Sequence, residues 1–319
     1  MNLTGIHHVT AVTGNTAKNV AFYTKVLGLR LVKQTVNQDD VSAYHLFYAD
    51  ERGNPGTDLT FFDWPHIGRN VSGAGTISTI AFRVPGTEAL DWWARHLDEN
   101  GVEIVSRGER AGRSSILFKD AEGMSLALFD DGKAPTTSTP WDKSPIPTDV
   151  AIRGLDTATI IVRQIEPLAQ VLTKVLGFQQ TREYQLDDTS RLFVFETGQG
   201  GPGTEVHVEV RPNGKAGNLG IGGVHHVAFR TPNPEEHRLW RERLAQAGLG
   251  VTPVIDRFYF KSIYFRVPGG VLFEIATDGP GFATDEDIEH LGEHLALPPF
   301  LEPQRTAIEK NLHPLNANA

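Results

Sequence analysis

The chain has 319 residues, 39% of them hydrophobic and 22% charged, which suits a globular protein with room for two ordinary domains. A formal charge of -9 argues against nucleic acid or an anionic membrane surface as a partner, since both ask for a basic face. With no cysteine there are no disulfides, thiolate metal sites or cysteine nucleophiles, and any metal must be held by nitrogen and oxygen.

Residues 5–12 are apolar and β-branched enough for a strand, and Asn15 or Thr16 caps a predicted helix ending at Gly28. Short alternating runs at 29–35, 42–49 and 58–62 complete a βαβββ unit. A second unit follows, with a strand at 76–82, a helix at 89–100 and strands near 102–106, 113–118 and 125–129. Residues 132–150 carry Pro135, Pro140, Pro145 and Pro147 among Ser and Thr and read as a linker.

Beyond the linker the pattern repeats. Thr24-Lys25-Val26-Leu27-Gly28 returns as Thr173-Lys174-Val175-Leu176-Gly177, and Ala81-Phe82-Arg83 returns as Ala228-Phe229-Arg230. Matches at nearly one offset mark a duplication. The expected class is α+β, with four βαβββ units in two duplicated halves, 1–131 and 151–278. The tail, 279–319, is expected to be helical over 285–295 and again over 303–312, with Phe300 or Leu301 as candidates to cover a pocket.

Gly5-Ile6-His7-His8-Val9 and Gly223-Val224-His225-His226-Val227 each open a strand with a histidine pair. Glu274 interrupts an apolar strand, where a carboxylate needs a partner. At the repeat offsets, His7 and His8 become Asp156 and Thr157, His225 and His226 become Ser78 and Thr79, and Glu274 becomes Ala127. A complete metal site therefore requires unit one to pack against unit four. Strand alternation sends the two histidines of a pair to opposite faces, so one of each pair is expected to be a ligand unless a bulge intervenes. His45, like most other histidines, belongs to no constellation, and His207 is read as structural.

The opening "HHVTAV" followed by "FYTKVLGL" is similar to the glyoxalase signature of the vicinal-oxygen-chelate superfamily. Through the "LPPFLEP" tail the chain resembles more closely the ring-cleaving dioxygenases that act on hydroquinones. The resemblance implies curved mixed sheets forming cup-like open barrels, with His8, His226 and Glu274 as ligands of Fe(II), or of Mn(II). It also implies roles beside the metal for His7, Thr10, His225, Arg257 and Tyr264. Of these, His225 is expected to carry a proton, Arg257 to hold a substrate oxygen and Tyr264 to donate a hydrogen bond. Phe258, Tyr259 and Trp64 are expected walls for a flat ring. The expected activity is an Fe(II)-dependent ring-cleaving dioxygenase on a hydroquinone- or catechol-type diol with O2. Two other readings stay open: a glyoxalase-type isomerase or epimerase, for which Asp58 would be a fourth ligand, and a non-catalytic aromatic- or drug-binding protein. The expected partners are a small aromatic substrate and O2, with no nucleic acid or membrane and with a homo-oligomer left open. The opening residues carry no leader pattern, so a cytoplasmic location is expected.

Overall fold

The structure is a computed structural model and describes residues 1–313 and 315. Unit one consists of β1 (Ile6–Thr13), α1 (Thr16–Ala21), β2 (Arg30–Asn37), β3 (Asp40–Ala49) and β4 (Asp58–Asp63). Unit two follows with β5 (Thr76–Val84), α2 (Thr87–Glu99), β6 (Ile104–Arg110), β7 (Arg113–Lys119) and β8 (Ser125–Asp130). In unit three these places are taken by β9 (Leu155–Val162), α3 (Glu166–Gln170), β10 (Gln179–Asp187), β11 (Ser190–Glu196) and β12 (Glu205–Val210). Unit four has β13 (Val224–Thr231), α4 (Pro234–Gln246), β14 (Ile255–Asp256), β15 (Lys261–Arg266) and β16 (Leu272–Thr277), and α5 (Arg305–Asn311) lies in the tail.

Asn15 caps α1 by accepting from the Lys18 N–H, and the helix then widens into a π turn in which the Leu27 N–H donates to Phe22 O. Unit three repeats this turn between Leu176 and Val171. Helices α2 and α4 each bury a tryptophan, Trp93 and Trp240, against the sheet. Burying one such side chain stabilises the fold by about 1.5–3 kcal/mol.

The sixteen strands form one open sheet made of two cups. In one cup, β1 of unit one pairs antiparallel with β13 of unit four, each flanked by the last strand of its own unit in parallel, β4 and β16. The other cup joins β5 of unit two to β9 of unit three in the same way, and a bridge between Val224 and Ile77 carries the sheet from one cup to the other. The first cup thus combines the two ends of the chain.

The tail departs from expectation over 285–295. Instead of an α-helix it contains 3-10 turns at Phe282–Thr284 and Ile288–His290 and runs along the edge of β2. Arg30 donates to Ile288 O and Glu289 O, Gln34 donates to Gly292 O, and Ala296 donates to Gln34 O. Lys33 is fully buried against Asp285, Glu286 and the ring of Tyr259. These bonds hold the tail along the β2 edge and outweigh local helix preference. The second expected helix lies at Arg305–Asn311. Leu301 packs with Val36, Leu297 and Ile308, while Phe300 is exposed, so neither covers the cavity described below. Residues 314 and 316–319 of the expected tail lie outside the described residues. No helix among the described residues is long and apolar enough to cross a membrane.

Candidate metal centre

A β-bulge opens each half of the centre. Ile6 pairs with Phe229 and His8 with Ala228, leaving His7 as the extra residue; Thr10 pairs with His226 and Ala11 with Val224, leaving His225 extra. Alternation alone would separate the two rings of a pair. The bulges instead bring His7 Nδ1 to 2.9 Å from His8 Nδ1, and His225 Nδ1 to 2.7 Å from His226 Nδ1.

The inner rings meet at Glu274. His8 Nε2 and His226 Nε2 lie 3.3 and 2.9 Å from Glu274 Oε2 and 3.3 Å from each other. Three donors bound to one ion at about 2.1 Å stand about 3.0–3.4 Å apart, so these separations suit a single cation. Glu274 is fully buried and neither of its oxygens receives a hydrogen bond, which leaves a carboxylate in want of positive charge. The donor set, its spacing and the orphaned carboxylate fit a divalent metal.

The outer histidines set the protonation of the inner ones. His7 Nε2 is 3.1 Å from the Thr277 carbonyl oxygen, which can only accept, so this nitrogen carries the proton. Burial, and then His8, depress the His7 pKa and keep the ring neutral, so its Nδ1 accepts from His8 Nδ1–H. That leaves a lone pair on His8 Nε2, facing Glu274. On the other side, burial followed by His226 pushes His225 down to about 3. Its Nδ1 can then accept from His226 in the same way.

Thr10, Arg257 and Tyr264 line the cavity over the centre with His8 and His226, whereas His7 and His225 lie off its wall, each against the inner ring of its pair. His225 therefore sits where it can orient His226 rather than meet a substrate, with its ring edge-on to Phe62 and Trp64. Arg257 donates to Asp39 Oδ2 at 2.8 Å and stands over the Tyr264 ring; Gln38 donates to Arg257 O, so the β2–β3 turn clasps this side of the mouth. Of the expected walls only Tyr259 lines the cavity. Trp64 stacks behind Phe62, and Phe258, with φ of 70°, packs edge-on to Tyr259 outside the cavity lining. Phe47, Phe62 and Phe260 supply the other aromatic surfaces, together with Thr35 and His45, neither of which any motif pointed to.

Strand register also locates the counterpart of Glu274 in unit one. Thr10 stands beside Thr60 as Ala228 stands beside Glu274, so the corresponding position is Thr60 and not Asp58. The Asp58 carboxyl is buried outside the ligand group, and burial, with Asp50 adding to it, raises its pKa well above the ordinary value. In the second cup the equivalent space is filled by protein charge. Arg113 bonds Asp156 at 2.6 and 2.8 Å and Glu205 at 3.0 Å, and Glu205 lies 2.8 Å from His207 Nε2.

Bulged strands, paired βαβββ units and a His-His-Glu centre in an open cup define a vicinal-oxygen-chelate architecture. The chain belongs to the Glyoxalase/Bleomycin resistance protein/Dioxygenase superfamily, whose family model matches residues 5–128 and 154–275. It is 44% identical over 99% of its length to the whole of "Putative ring-cleaving dioxygenase MhqA" of Bacillus subtilis (strain 168). A second relative, the chlorohydroquinone/hydroquinone 1,2-dioxygenase of Sphingobium indicum, is 32% identical, with 93% of this chain and 92% of that protein covered. A crystal structure of a "putative dioxygenase" from Bacillus subtilis subsp. subtilis str. 168 superimposes with a TM-score of 0.89 at 39% identity, covering 99% of both chains. Glyoxalase I from Zea mays shares the fold, with a TM-score of 0.64 at 14% identity over 91% of this chain and 96% of that one. These relatives place the chain among enzymes of the ring-cleaving dioxygenase type.

Proposed function

We propose that the protein is an Fe(II)-dependent dioxygenase that cleaves the ring of a hydroquinone- or catechol-type diol, with Mn(II) as the other ion its ligands suit. The observation that carries this reading is the trio His8, His226 and Glu274, two imidazoles and one carboxylate with no fourth protein ligand beside them among the described residues. Such an ion, when bound, supplies adjacent open positions for a substrate oxygen and O2.

The surrounding residues do the rest. His7 and His225 hold the two ligand imidazoles in the tautomer that presents Nε2 to the ion. Arg257, always charged, attracts a phenolate oxygen and stabilises negative charge as it develops. The Tyr264 phenol, raised above its usual pKa by burial and then by Glu274, stays protonated and donates a hydrogen bond into the cavity. Thr10 presents a hydroxyl beside His8, and Phe47, Phe62, Tyr259 and Phe260 enclose a flat ring and exclude water. The relative named for chlorohydroquinone and hydroquinone supports a para-diol as the first substrate to try.

The isomerase reading has lost its fourth ligand, because Thr60 occupies the position of the second carboxylate. Oxygen uptake by protein reconstituted anaerobically with Fe(II) tests the proposal. Consumption of O2 with hydroquinone or catechol is expected, and no uptake with any diphenol would overturn it.

A further inference from the structure

His45 belongs to β3, far from the ligand motifs in sequence, yet it forms part of the wall of the cavity. Its ring is wedged between Phe47 and Phe62, with centroids 4.0 and 4.5 Å away. Nε2 lies 3.0 Å from Thr60 Oγ1, which in turn lies 2.8 Å from Thr10 Oγ1. Packing and this hydroxyl pair fix the ring's orientation. Nδ1 has no hydrogen-bond partner among the described residues and is not sealed in the core, on a residue that lines the cavity. Directly across the strand pair, Thr35 lines the same wall, and its buried hydroxyl makes no hydrogen bond of normal geometry.

A cavity wall that presents an oriented, unpartnered nitrogen is prepared for a polar atom of the ligand, because such a group is costly to leave unpaired once a ligand has displaced water from it. We propose that His45 is a substrate-contacting residue whose Nδ1 hydrogen-bonds the ring oxygen remote from the metal centre. This deepens the ring-cleaving reading and rests on it. An ortho-diol could direct both oxygens to the metal and would need nothing from this wall, whereas a diol with its second oxygen on the far side of the ring must find a partner there. The Thr10–Thr60 hydroxyls can rotate together. With Thr60 donating to Nε2, Nδ1 is a donor; with Nε2 donating to Thr60, Nδ1 accepts from a substrate hydroxyl. The same residue can therefore serve a phenol and an oxygen anion.

The test compares hydroquinone with phenol, which lacks the second oxygen, by anaerobic calorimetry on the Fe(II)-loaded protein. The native protein is expected to bind hydroquinone about tenfold more tightly than phenol. In His45→Phe that preference disappears while phenol affinity and metal content hold. His45→Asn, which keeps a polar group at the Nδ1 position, retains most of the preference, and His45→Gln, whose amide reaches the Nε2 position, loses it. A purely structural role would not separate Asn from Gln. Undiminished preference in His45→Phe overturns the assignment of His45 alone, provided oxygen uptake with hydroquinone is present. Absence of both hydroquinone binding and oxygen uptake in the native protein overturns the ring-cleaving reading and this inference with it.

Discussion

At the residue scale the centre is governed by where two protons reside. The Thr277 carbonyl fixes the proton of His7 on Nε2, and the Nδ1 contact passes that constraint to His8, whose Nε2 is left bare for a metal. Replacing His7 with leucine removes the acceptor and frees the His8 ring, so metal affinity should fall about 10–100-fold with all three ligands intact. Competition against a chelator of known affinity measures this, and unchanged affinity would refute the tautomer argument. The candidate ligands were legible in the sequence because a carboxylate in an apolar strand and two repeated histidine pairs each call for an explanation. The relation within each pair was not legible, since a bulge is a register event and leaves alternation in the sequence unaltered. His45 was hidden for a similar reason. It occupies an ordinary place in an alternating strand and meets the cavity only through the curvature that brings β3 over β1.

At the scale of elements, the strands and the first helix of each unit follow local pattern, and the tail does not. Residues 285–295 have the composition of a helix but are held by Arg30, Lys33 and Gln34 along the β2 edge. Gly292 makes that path available. Its φ is +75°, and a Cβ there would lie 1.8 Å from Leu31 O. Gly292→Ala should therefore destabilise the protein by roughly 1–3 kcal/mol, seen as a lower Tm and faster proteolysis of the tail. A variant as stable as the parent would show that the tail's docking contributes little. Register was the other property that sequence spacing misjudged at this scale. Asp58 and Thr60 both belong to the last strand of unit one, and only the pairing with β1 shows that Thr60 is the counterpart of Glu274.

Across the whole molecule, one duplication has produced two cups with different contents. The second and third units carry other residues at the candidate ligand positions, and in their cup Arg113 stands among Asp156 and Glu205. A guanidinium thus stands among carboxylates there, where the first cup offers a site for a metal. That unit one must meet unit four was legible from the repeat register alone, because neither half retains a full ligand set; the antiparallel pairing of β1 with β13 provides the meeting. In the proposed centre a single metal is held jointly by histidines from the two ends of the chain. The most direct test is the metal content of protein loaded anaerobically with Fe(II) and freed of excess ion, for the native chain and for His8→Ala and His226→Ala. One iron per native chain and close to none in either variant is the predicted result; one iron per chain retained by either variant would contradict it.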